Sequence, residues 1–180
     1  HVRESNYFQA WRPNLEGHWA KSAYRNFDSK SFRPAINHIV NNSGFAVRMG
    51  AFVENPMEIA GNPRIIDYAS NYRSDFGDIY LLAKCQFFLT GNTGLSNVSV
   101  IFNRPIAVTN MIPLYGVVYR ETDMFIPVLL KRLGSNELVH YGEAKQAGLF
   151  RQDVDAAHYD KFCSEQGMQH IYNSPEDILD

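Results

Sequence analysis

The stretch SDFGDIYLLAKCQFFLTGNTGLSNVSVIFNRP, residues 74–105, decides the fold. Ser74 stands where it can cap a helix whose first turn carries Asp75 and Asp78, and carboxylates there complement the positive helix end. Ile79, Leu81, Leu82 and Ala83 give that helix its core side. Gln86 to Thr90 is apolar and aromatic, as a short buried strand requires. It runs into Gly91-Asn92-Thr93-Gly94, a small-residue turn ahead of a second helix over about Leu95 to Asn103. Backbone N–H groups at such a turn and helix start form a cradle for an anion, so a phosphate-bearing ligand is the expected occupant.

Outward from this stretch the pattern repeats. Asp28 or Ser29 can cap a helix across Ser31 to Asn42, with Phe32, Ile36, Ile39 and Val40 as its apolar stripe and Gly44 as its stop. Phe45 to Arg48, Arg64 to Asp67 and Pro105 to Thr109 read as further strands, while Asn6 to Asp28 shows little periodicity and reads as an irregular, cleft-lining insertion. Strands alternating with helices through short turns predict an α/β domain, a Rossmann-like parallel sheet flanked by helices, with residues 116–180 as a less regular C-terminal extension.

Ligands of such sheets bind outside the carboxyl ends of the strands. That rule selects His1 and Arg3, Arg48 and Gly50, Asp67 and Tyr68, Asn92 to Gly94, and Thr109 with Asn110. Arginines near an anion-binding turn suit a diphosphate, because guanidinium donors match phosphate oxygens two at a time. For a strand-end arginine, a solvated or salt-bridged residue is the plainer alternative.

The order of these pieces also carries a likeness. A helix with an acidic residue, then LLAKC, a hydrophobic strand and a small polar turn resembles the donor-site region of GT-B glycosyltransferases, and His1-Val2-Arg3 resembles the H-x-R signature of the fucosyltransferase superfamily. HVRESNYF, AVRMG, IIDYA, SDFGDIYLLAKC and TGNTGLS, in this order, are similar to bacterial glycosyltransferases found with surface-polysaccharide genes, over roughly the first 115 residues. The resemblance implies transfer of a sugar from a nucleoside diphosphate donor, GDP-linked by analogy, to a glycan or other surface-polysaccharide acceptor, with inversion, no metal and no further cofactor. It assigns donor or nucleotide binding to His1, Arg3, Arg48, Asp67, Asp78, Asn92, Thr93, Gly94 and Leu95. Asp78 takes the place of a carboxylate that meets the nucleobase, and Glu4, beside Arg3, is the candidate general base. Because H-x-R follows a strand in those enzymes and a two-domain GT-B protein is about twice as long, the 180 residues are expected to be a single nucleotide-sugar-binding domain, the C-terminal donor half, without the preceding strand and N-terminal acceptor domain.

Composition is that of a globular protein: 45% hydrophobic, 20% charged, net charge −2, which offers no electrostatic footprint for nucleic acid. No apolar run nears the ~20 residues that cross a bilayer, so a cytoplasmic protein is expected, with peripheral contact at the inner face of the membrane compatible. Cys85 and Cys163 follow no metal spacing and read as free thiols. Asp153-Val154-Asp155 has the D-x-D form of metal-dependent transferases but stands in a polar, helix-like stretch rather than after a strand, and no metal ligands are assigned. There is no G-x-G-x-x-G after a strand, no G-K-[ST] turn and no G-x-S-x-G elbow. A noncatalytic nucleotide- or phospho-ligand-binding module, or an epimerase or hydrolase of similar fold, are the alternatives to the transferase.

Overall fold

Ser74 caps a helix by accepting the Gly77 N–H, and the strand that follows lies in a parallel ladder, so the architecture grows from the quoted stretch. The computed structural model describes residue 1 and residues 28–53, 56–57, 61–111, 120–150 and 159–180. A 3-10 turn at Ser29–Phe32, capped by Asp28, leads into α1 (Arg33–Asn41). Then come β1 (Ala46–Val47), β2 (Ile65–Ile66), the short α2 (Tyr68–Asn71), α3 (Asp75–Lys84), β3 (Phe88–Thr90), α4 (Ser96–Ile101), β4 (Ile106–Met111) and β5 (Met124–Pro127). The chain closes with β6 (Leu129–Arg132), α5 (Tyr141–Gln146), α6 (Tyr159–Glu165), β7 (Met168–Ile171) and α7 (Pro175–Leu179).

The result is a mixed α/β arrangement with small parallel sheets. β1 pairs with β2, and β3, β4 and β5 pair in that order, all parallel. The expectation of one continuous sheet ending near Arg48, Asp67, Thr90 and Thr109 is corrected: the described strands form two separate ladders. The reason is local. β1 spends the N–H groups of Ala46 and Arg48 on β2, and β3 spends that of Phe88 on Pro105 ahead of β4, so the two strands turn their other edges towards each other without meeting.

Two faces are covered by different helices. Phe88 packs with Leu82 of α3, Met49 and Tyr68, whereas the next residue, Leu89, packs with Phe32 and Ala35 on the α1 side. Successive strand residues point to opposite faces, so α1 and α3 flank β3 from opposite sides. α7, capped by a reciprocal Ser174–Asp177 box, returns Ile178 to the α1 cluster.

Two local expectations change. The left-handed residue after α1 is Ser43, at φ 68°, rather than Gly44. On α3 only Leu82 is fully buried, while Ile79, Phe76 and Tyr80 face outward. β6 and β7 pair antiparallel around a separate core of Val128, Leu130, Leu149, Tyr159, Cys163 and Met168.

Candidate functional site

His1 lies against the carboxyl end of β3. Its amino group donates to the Leu89 carbonyl at 2.8 Å, and its carbonyl accepts the Gly91 N–H at 3.1 Å and the Thr90 hydroxyl at 3.0 Å. Its ring stacks on Phe88, with centroids 6.3 Å apart, and its Nδ1 is buried with no partner among the described residues. Burial, and then the positive charge of Arg48, push the amino group down to about 5.

Arg48 follows β1, and Asp67 follows β2. They form an ion pair at 3.4 Å, with Asp67 almost wholly buried. Asp67 also accepts the Met57 N–H at 2.7 Å and caps α2 through Ser70. A carboxylate with these three donors is a structural anchor that fixes Arg48 at the strand ends. These are the contacts that the described residues make with Asp67, a position that the resemblance assigns to donor binding.

The 91–95 turn is built as the sequence implies, on a shorter helix. α4 starts at Ser96, and its first amides are spent within the turn: Ser96 on Thr93, Asn97 on Gly94 and Val98 on Leu95. The N–H groups of Thr93, Gly94 and Leu95 have no partner among the described residues, and Gly94 is exposed with open space where a Cβ would stand. Thr93 is buried and shares a hydrogen bond with the Thr90 hydroxyl at 3.2 Å. Thr90 was not singled out from the sequence, although a hydroxyl residue closing an apolar strand before a glycine turn is a readable signal. It ties together His1, Gly91 and Thr93.

Thus His1, Arg48 and the turn share one edge, where Gly50 also approaches the His1 ring. Asp78 pairs through its Oδ2 with Arg73 at 3.0 Å, while its Oδ1 is buried without a partner among the described residues. Thr109 likewise buries a hydroxyl without a described partner at the far end of β4. Arg3, Glu4 and the D-x-D at 153–155 lie outside the described residues. Among the described residues no group of three histidine, cysteine or acidic side chains could hold a metal ion, and no helix is long and apolar enough to cross a membrane. Cys85 and Cys163 are free thiols, the latter pushed up to about 11 chiefly by burial.

No protein-family model, no curated protein and no solved structure matches this chain.

Proposed function

We propose that the chain is the donor-binding domain of a glycosyltransferase, with a Rossmann-like sheet that receives a nucleoside diphosphate sugar at the carboxyl ends of its strands and passes the sugar to a glycan acceptor. The observation that carries this reading is the convergence of His1, Arg48 and the Thr93–Leu95 amides on one edge of parallel strands. Amides and a guanidinium are the donors that a diphosphate needs, and they can stabilise its charge as it leaves. Arg3, in the H-x-R position, is the expected second arginine.

A noncatalytic phospho-ligand-binding module is the second reading. It is favoured by the engagement of Asp67 with Arg48 and of Asp78 with Arg73, which leaves Glu4 as the candidate base. Calorimetric titration of GDP, UDP, CDP and ADP in EDTA, on the parent chain and on Arg3→Ala and Arg48→Ala, tests the shared step. Binding to the parent with loss in Arg3→Ala is expected. Binding that vanishes in EDTA, or variants that both bind like the parent, would overturn the reading. Hydrolysis or transfer of a bound sugar nucleotide then separates the enzyme from the binding module.

A further inference from the structure

Between β1 and β3 lies an apolar groove of about 380 Å³. Its walls include Val47 and Met49 on one side and Phe88 and Leu89 on the other, with Ile36 of α1 and Leu81 of α3 covering its two faces. Both side walls are strand edges. Since Ala46 and Arg48 bond to β2, the N–H and C=O of Val47 point into the groove, and since Phe88 bonds towards β4, the N–H of Leu89 does the same.

His1 already occupies one rung of this space. Its bonds to the Leu89 carbonyl and the Gly91 N–H bracket Thr90, which is the pattern of a parallel strand adding to β3 on the edge opposite β4. A chain running into His1 in that direction passes between β1 and β3. The residue two places before His1 would meet the Phe87 carbonyl and the Leu89 N–H, which has no partner among the described residues.

We propose that an extended apolar strand leading into His1 inserts between β1 and β3, parallel to both, and joins the two ladders into one sheet. The order becomes β2, β1, inserted strand, β3, β4, β5. Numbered along the chain this is 3-2-1-4-5-6, the order of a doubly wound sheet, with helices already standing on both faces. Apolar walls on both faces require a strand apolar at every position, as buried parallel strands are. About four residues at ~3.3 Å each span the wall from Gln86 to Leu89. The burial that lowers the His1 amine, with Arg48 repelling its charge, is in keeping with a peptide N–H at this position.

The proposal does not depend on the nucleotide reading, and its test uses no nucleotide, so the two stand or fall separately. The full chain is extended ahead of His1 with Ile-Val-Val-Ile, and compared with a Gly-Ser-Gly-Ser extension and with the parent. The apolar extension should slow amide exchange at both Val47 and Leu89 by tenfold or more and raise the melting temperature by several degrees, while the Gly-Ser extension should do neither. Ile36→Lys, a change at a half-buried groove wall, should abolish the gain without unfolding the parent. Exchange no slower than with Gly-Ser, protection at Leu89 without Val47, or protection that grows with protein concentration and so reports pairing between copies, would each overturn it.

Discussion

Asn110 and Asn173 hold each other reciprocally: the backbone N–H of each donates to the side-chain oxygen of the other, both at 2.6 Å, across 63 residues of sequence. Both are buried, and Asn173 also donates its side-chain amide to the Pro127 carbonyl at 3.0 Å. Asn110 sits at φ 53°, a left-handed conformation that asparagine tolerates better than most residues. The pair therefore joins the end of β4 to the segment entering α7, and through Pro127 to β5.

Removing one side of this lock strands buried groups. Asn173→Ala leaves the Asn110 N–H and the Pro127 carbonyl unsatisfied, for an expected loss of about 3 kcal/mol. Asn110→Gly keeps the backbone conformation and forfeits only the acceptor, so it should cost less, about 1–2 kcal/mol. Urea denaturation of both single variants and the double variant should give a sum larger than the double, the mark of one shared interaction.

Local chemistry was legible where it was local. Ser74 caps the helix expected of it, Asp28 caps the 3-10 turn that leads into α1, and β1, β2, β3 and β4 fall within or across the apolar runs read as strands, because such runs closed by small or polar residues express burial and turning within a few positions. What escaped was set at a distance. Asn173 meets Asn110 from 63 residues away, and Arg48 spends its charge on Asp67 rather than standing open, a pairing that only the β1–β2 register creates. The expectation of a single sheet failed for a similar reason, since whether two strands meet depends on what lies between their edges.

Asp123 makes a comparable anchor at the start of β5. Its side chain is fully enclosed, accepts the Ile106 and Arg120 N–H groups, and pairs with Nε and Nη2 of the Arg120 guanidinium, whose remaining nitrogen, Nη1, donates to Asn103 Oδ1 and the Val100 carbonyl. The hydrogen bond from the Arg120 guanidinium holds its carboxyl below the usual carboxylate range. A depressed carboxylate stabilises the fold above its unfolded value and loses that contribution as pH falls through its folded one. Asp123→Ala should thus cost about 3 kcal/mol at neutral pH. Thermal melts should show the gap between variant and parent closing only in strong acid, below pH ~4.

Gly77 lies inside α3, where alanine would ordinarily gain up to ~1 kcal/mol. Here a Cβ would run into the Tyr68 hydroxyl and come within 2.9 Å of the Ser74 side-chain oxygen. The Tyr68 hydroxyl cannot simply withdraw, because it accepts the Ser74 N–H at 2.9 Å and donates to the Ser74 carbonyl at 2.8 Å. Gly77→Ala is expected to destabilise by about 1–3 kcal/mol, as overpacking does. In a Tyr68→Phe background the added methyl should cost markedly less. Chemical denaturation of the four-member cycle measures the difference, and additivity would contradict the clash.

As a free amine, the His1 nitrogen gives the 180-residue chain a pH dependence that an unburied amine lacks. Folding buries it beside Arg48 and lowers it from 8.0 to about 5. Between those values the unfolded chain binds a proton that the folded chain refuses, so stability rises with pH across the window and falls as the solution is acidified from pH 8 to pH 5. Below about 5 both states carry the proton and this contribution stops changing. A shift of this size corresponds to at most ~4 kcal/mol, at about 1.4 kcal/mol per unit. Acetylation of the amine leaves an N–H for the Leu89 carbonyl but removes the charge, and the acetyl group points into the open groove. Urea midpoints measured from pH 5 to pH 8 should therefore slope upward for the free amine and lie flatter for the acetylated chain. Equal slopes would mean that the His1 amine stays charged, and hence exposed, at the edge of β3.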